Sequence, residues 1–186
     1  MLRLHKKILI LFVLSIFVFS TNNVSATGID GFMDIPWGTS RSDVAKKMVE
    51  LNFTKDPESN VKRDIYEGMF AGHKAYLTFR FINNVFYSGG ALFVDTYLAY
   101  GQGGNGMIDY YFQDFEKKLI NKYGAPTKIP YDTSDYWTLE EQGTRISIKL
   151  GRNYPIKGGD NGRVFVNYDN QTLYEKEKQN VIDRDL

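Results

Sequence analysis

Apolar and polar positions repeat along this chain with two different periods. Between Ser40 and Asn52, Val44, Met48 and Leu51 recur at helical spacing, while Lys46, Lys47 and Glu50 fall on the remaining positions. Pro36 and Gly38 break the chain around Trp37 just before this segment. Ser40 can cap a helix, and Asp43, three residues on, completes a capping-box pattern at the positive helix end. The pattern predicts a helix over about residues 40–52, ended by Asn52 and the stretch KDPESN.

Beyond this point the period falls to two. RDIYEGMFAG precedes HKAYLTFRFI, in which Tyr76, Thr78 and Arg80 alternate with Leu77, Phe79 and Phe81, the signature of a sheet with one buried face. Asn83-Asn84 marks a tight turn, because Asn tolerates positive φ. VFYSGGALFVDTYLAY resumes the strand pattern, and Gly89-Gly90 inside it predicts a bulge or bend. A second helical period then runs through MIDYYFQDFEKKLINKYGAP, with Ile108, Phe112, Phe115 and Leu119 on one face. Gly124 stops it, and Pro126 forbids continuation. SDYWTLEE, TRISIKLG and RVFVNYD follow as strands, with Gln142-Gly143 as a hairpin turn and GRNYPIKGGDNG as a glycine-rich loop. The tail, residues 171–186, is polar and reads as a short helix or a disordered end.

The order helix, three strands, helix, three strands implies an α+β fold. The expectation is two tandem helix-plus-three-strand units, about residues 31–100 and 107–170, forming one antiparallel sheet with both helices on one face. A single domain over residues 27–170 contains both.

The first 26 residues change the compartment. MLRLHKK is basic, Ile8–Ser20 is an uncharged apolar run, and Val24 and Ala26 hold the small-residue positions of a cleavage site. The run is shorter than the roughly 20 residues a spanning helix needs, so the pattern predicts a signal peptide cleaved after Ala26. Export follows, to a periplasm or the extracellular space. The chain has 23 basic and 22 acidic residues, and the leader takes three of the basic ones, which leaves a formal charge of −2. No basic field of that chain as a whole attracts nucleic acid or anionic lipid. The sequence has no cysteine, which excludes disulfides, thiol catalysis and a lipid-modified cysteine.

Candidate chemistry is sparse. Gly101-x-Gly103-x-x-Gly106 has the letters of a dinucleotide-binding turn, but the following stretch GAPTKIPYD is a poor buried parallel strand and supplies no acidic residue at a strand end. A glycine linker between two units is the better reading. His73 is the one histidine beyond the leader and sits in the turn-like AGHKA, which predicts a solvated residue rather than a triad member or metal ligand. Glu140 and Glu141 are adjacent on a strand and point to opposite faces, and Asp132 with Asp135 is the other acidic pair. Asp160-Asn161-Gly162 lacks the acidic ladder of a calcium loop and reads as a turn. No cofactor and no metal is expected.

Aromatic residues are the unusual feature, with 13 Tyr, 13 Phe and 2 Trp. Tyrosine and tryptophan make contact surfaces at low entropic cost, and Tyr87, Tyr97, Tyr136 and Trp137 are the candidate binding residues.

IPWGTSRSDV opening a helix, the hairpin FAGHKAYLTFRF and the helix end KLINKYGAP together resemble small exported bacterial proteins of the β-lactamase-inhibitor-protein-like fold. The SmpA/OmlA type of outer-membrane assembly lipoprotein carries a shorter version of the unit. The resemblance implies one curved antiparallel sheet built from tandem helix-plus-strands units. This chain departs from the lipoproteins in having no lipobox cysteine and from the inhibitor in having no disulfide. The expected function is a non-enzymatic exported domain that binds a protein or cell-envelope partner through its sheet. A small-molecule or glycan binder using the same aromatics is the alternative, and a hydrolase built on His73 or a carboxylate pair is a third.

Overall fold

The computed structural model describes residues 30–96, 105–129, 132–157 and 161–184. A two-stranded ribbon, β1 (Gly31–Phe32) and β2 (Ile35–Pro36), leads into α1 (Arg41–Glu50). The helix starts where the capping residues require: Ser40 is extended, and its Oγ accepts from the Asp43 amide at 3.2 Å. Four strands follow, β3 (Thr54–Lys55), β4 (Arg63–Phe70), β5 (His73–Ile82) and β6 (Val85–Phe93). The second helix α2 (Gly106–Tyr123) is followed by four more, β7 (Thr127–Lys128), β8 (Ser134–Glu141), β9 (Thr144–Asn153) and β10 (Arg163–Asn170). The tail forms α3 (Gln171–Arg184).

The eight strands make one antiparallel sheet in the order β3-β4-β5-β6-β10-β9-β8-β7. The expectation of three strands after each helix therefore becomes four. The additional strands are two residues long and lie at the two edges, with Pro57 beyond one and Pro126 immediately before the other. Proline cannot donate to a ladder, which limits how far either edge strand extends. Four hairpin turns among the described residues place two consecutive residues at positive φ: Met33-Asp34, Ala71-Gly72, Asn83-Asn84 and Gln142-Gly143. That is the backbone of the two-residue turn that matches strand twist.

Two details differ from the sequence expectation. β6 ends at Phe93 in a 3-10 turn, Val94–Thr96, instead of running on as a strand. Buried Thr96 explains the stop: its Oγ1 donates to the Phe93 carbonyl at 2.7 Å and accepts from the Val164 amide of β10 at 2.8 Å. The bulge lies at Arg80/Phe81, where Tyr87 is the extra residue on β6, and not at Gly89-Gly90. Gly89 serves packing instead. A Cβ there would lie 2.4 Å from the Phe32 ring, so only glycine lets the β1–β2 ribbon lay Phe32 on the sheet.

Burial alternates along the long strands, with Ala75, Leu77 and Phe79 on β5 and Ile146, Ile148 and Leu150 on β9 buried. These side chains form one continuous core with Val44 and Met48 of α1 and with Ile108, Tyr111, Phe112, Phe115 and Leu119 of α2. Phe115 stacks on Phe93 with ring centroids 4.1 Å apart. Among its described side chains, α3 contributes no buried residue. It crosses the end of the sheet, where Thr172 Oγ1 accepts from the Arg145 amide and Glu177 meets the Asn83 carboxamide.

A carboxylate of β4 is buried beside this core. Asp64 is fully buried, takes two hydrogen bonds from the Arg41 guanidinium at 2.8 and 2.9 Å, and meets Lys55 Nζ at 2.7 Å. Burial alone would raise its pKa, but the two cations overcome this and hold it below the ordinary carboxylate value. The same guanidinium donates to the Asn60 and Val61 carbonyls, so α1, the β3–β4 connection and β4 meet at one side chain. Replacing Asp64→Ala is expected to cost about 2–3 kcal/mol in urea unfolding, below the top of the range for a broken buried pair because both cations reach water. The wild-type advantage is lost as pH falls through the depressed Asp64 pKa, so the two unfolding curves converge in acid.

Candidate functional site

The antiparallel register defines the second face of the sheet residue by residue. Side chains opposite one another across the strands form rows. The first row reads Arg63, Arg80, Ser88, Asp169, Ser147 and Thr138. The second reads Ile65, Thr78, Gly90, Asn167, Lys149 and Tyr136. The third reads Glu67, Tyr76, Leu92, Phe165, Gly151 and Ser134. Strands about 4.8 Å apart make each row of six span roughly 24 Å. Three rows and their margins present on the order of 500 Å² of projected surface, comparable to one side of a small specific interface.

The middle of this face is apolar and partly open. Tyr76, Leu92 and Phe165 lie side by side on β5, β6 and β10, and each is half-buried. Phe165 lies flat because its partner is glycine: a Cβ on Gly151 would come within 2.3 Å of its ring. Lys149 extends between two aromatic rings, with Nζ 5.3 Å from the Tyr136 centroid and 5.8 Å from that of Phe165. Tyr136 is anchored further by its hydroxyl, which donates to Asp132 at 2.7 Å. At the α3 end, Tyr87 packs on Tyr174 at 5.0 Å between centroids.

The four sequence candidates therefore separate. Tyr136 lies on the open face, and Tyr87 lies at its α3 end. Trp137 does not belong to the surface. It is 3% exposed, points into the core with Ile148 opposite, and its indole N–H donates to the Gly124 carbonyl at 2.8 Å. Neighbours on a strand face opposite sides, so Tyr136 and Trp137 cannot share one surface. Tyr97 falls outside the described residues, as does most of the GQGGNG stretch and Asp160. Tyr76, Phe165, Leu92 and Lys149 were not among the sequence candidates, although alternation around Leu77 and Phe79 already put Tyr76 on the polar side.

The remaining chemistry is built between α2 and the sheet. His73 is not a solvated turn residue. Its side chain is 22% exposed, its ring lies 4.6 Å from Tyr111 and 5.7 Å from Phe115, and Nε2 is 3.9 Å from Asp114, which Lys118 already holds at 2.7 Å. Tyr111 donates to Asp95 at 2.8 Å, and burial first, with that bond second, pushes its pKa up to about 12. Two carboxyls do converge, but not the pairs visible in the sequence. Asp135, 4% exposed, faces Glu116 of α2 beside a cavity of about 310 Å³. Lys128 clamps Glu116 at 2.7 Å and lies 3.7 Å from Asp135. Burial and the Glu116 contact raise the Asp135 pKa, whereas desolvation of Glu116 is overcome by Lys128, Asp135 and Arg152 together, which lower that one. Glu140, by contrast, pairs with Arg145 at 2.7 Å in solvent. Among the described residues no group of three or more His, Cys, Asp or Glu side chains could hold a metal ion, and no helix is long and apolar enough to cross a membrane.

Comparison of the chain with protein-family models, with curated proteins and with solved structures finds no match.

The Asp135 proton, held by a raised pKa, has a measurable sign. The folded state holds it more tightly than the unfolded chain, so Asp135 costs stability as pH rises from the ordinary carboxylate value through its raised one. Asp135→Asn supplies an amide donor to Glu116 without a titrating proton. Thermal midpoints of wild type and Asp135→Asn, followed across that window, should diverge as pH rises, with the wild type falling. Parallel curves would show that Asp135 binds its proton equally in the folded and unfolded chain.

Proposed function

We propose that this protein is an exported, non-enzymatic binding domain that recognises a protein or cell-envelope partner through the open face of its sheet. The observation that carries the reading is the half-exposed row Tyr76, Leu92 and Phe165, bordered by Tyr136 and Lys149, on a face opposite the one that α1 and α2 cover. Aromatic side chains held in place by glycine, a cation–π contact and a carboxylate are ordered before a partner arrives, so binding them costs little side-chain entropy. Export rests on the leader pattern of residues 1–26. The glycan reading is weaker because Lys149 reaches over both the Tyr136 and Phe165 rings, the surfaces a sugar would stack on.

The architecture belongs to the same proposal. α1 and α2, each followed by four antiparallel strands, with the two sets joined through β6 and β10, support two tandem units meeting at the centre of one sheet. This is the arrangement that the resemblance to the β-lactamase-inhibitor-protein-like fold implies.

The test is capture by the processed chain, residues 27–186, from solubilised envelope and culture supernatant, repeated with variants. Phe165→Ala with Tyr136→Ala should lower retention of a saturable partner by about tenfold or more, as loss of a central aromatic anchor does. The thermal midpoint should barely move. Trp137→Ala should instead cost about 3–5 kcal/mol of stability. A partner retained equally by the double variant would remove the sheet face from the reading.

A further inference from the structure

The charge pattern of the same face says what kind of partner it fits, and this step rests on the binding reading above. The strands direct six cations to this face, Arg63, Lys74, Arg80, Arg145, Lys149 and Arg163, against three carboxylates, Glu67, Glu140 and Asp169. Two of the carboxylates are already committed at the margins, Glu67 to Lys74 and Glu140 to Arg145. Among the described residues, Arg63, Arg80, Lys149 and Arg163 form no salt bridge. The chain as a whole is nearly neutral, with 23 basic and 22 acidic residues, so the excess is local.

One placement is unfavourable for the isolated molecule. Arg63 and Arg80 stand directly opposite each other on β4 and β5. Like charges in that position destabilise a sheet. Among the described residues, Arg80 makes only a 3.5 Å contact with Ser88 Oγ, and Arg63 Nε has no hydrogen-bond partner. A carboxylate arriving between the two guanidiniums would remove the repulsion and gain forked hydrogen bonds.

We infer that this face docks an acidic protein surface, with partner carboxylates meeting Arg63, Arg80, Lys149 and Arg163 around an apolar contact on Tyr76, Leu92 and Phe165. The spacing favours a protein over a polyanionic polymer. Arg80 and Arg163 lie roughly 20 Å apart, at opposite ends of their strands, with the apolar row between them. A phosphate chain needs a continuous cationic track, whereas a folded partner presents scattered carboxylates around an apolar centre. Charge of this kind sets association rate and partner choice more than total affinity.

The test uses three probes on the purified, ¹⁵N-labelled protein: a soluble peptide alternating Glu with Phe and Tyr, the same peptide with Gln for Glu, and linear polyphosphate. The acidic peptide should shift amides of β5, β6, β9 and β10 and weaken steeply as salt is added. Arg80→Glu with Lys149→Glu should abolish that binding and admit a Lys-for-Glu peptide instead. Arg63→Gln serves as the folding control: it should weaken the acidic peptide while raising the thermal midpoint, because it relieves a like-charge pair. A structural Arg63 would lower the midpoint. Equal binding of the Gln peptide would overturn the acidic partner and leave the binding face standing. Tighter binding of polyphosphate would replace a protein with a polymer. Acidic-peptide shifts confined to other surfaces would overturn the inference, and the Phe165/Tyr136 capture experiment would still judge the face itself.

Discussion

Everything in this molecule depends on the pairing of β6 with β10. Residues some 75 apart in sequence meet there, Leu92 opposite Phe165 and Gly90 opposite Asn167. Without that ladder, β3–β6 and β7–β10 would each be a narrow sheet with a single helix, too small to bury much apolar surface. With it, the helices close one core of buried residues drawn from both sides of the seam. Small residues make the seam possible. Gly89 and Ala91 leave room for Phe32 and neighbouring rings on the core side, and Gly90 leaves room for Asn167 on the other. Thr96 fixes the end of the ladder by satisfying groups on both strands. A chain without cysteine has no covalent substitute for this seam.

The seam also creates the open face. A sheet wide enough to carry a core on one side has an equally wide second side, and α1 and α2 are both spent on the first. What remains is a broad, rigid surface whose side chains are positioned by strand register rather than by loops. Such a surface suits recognition, because its geometry is set before contact.

Much of the fold was legible in the sequence, because periodicity is a local property. The capping residues before α1, Gly124 after α2 and the turns at Asn83-Asn84 and Gln142-Gly143 all lie where side-chain and backbone chemistry put them. The two edge strands were hidden because two residues show no period. The open face was only half legible. Alternation places Tyr76 and Arg80 on the polar side of β5, but applied to Tyr136 and Trp137 it only separates two aromatic neighbours without saying which of them is core. Asp135 with Glu116 was illegible for a different reason. The two come from different elements, and only tertiary packing of α2 on β8 and β7 brings them together.

The two-residue edges have a consequence for how this protein meets others. A sheet normally advertises its unpaired backbone at its outermost strands, where another extended chain can join and where fibres begin. Here those strands are too short to template an added chain, and each carries a lysine, Lys55 and Lys128, tied into an ion pair that leads back into the fold. Lateral growth is thereby discouraged at both ends of an eight-stranded array. A visitor is left with the broad side of the array, where side chains rather than backbone decide who is admitted.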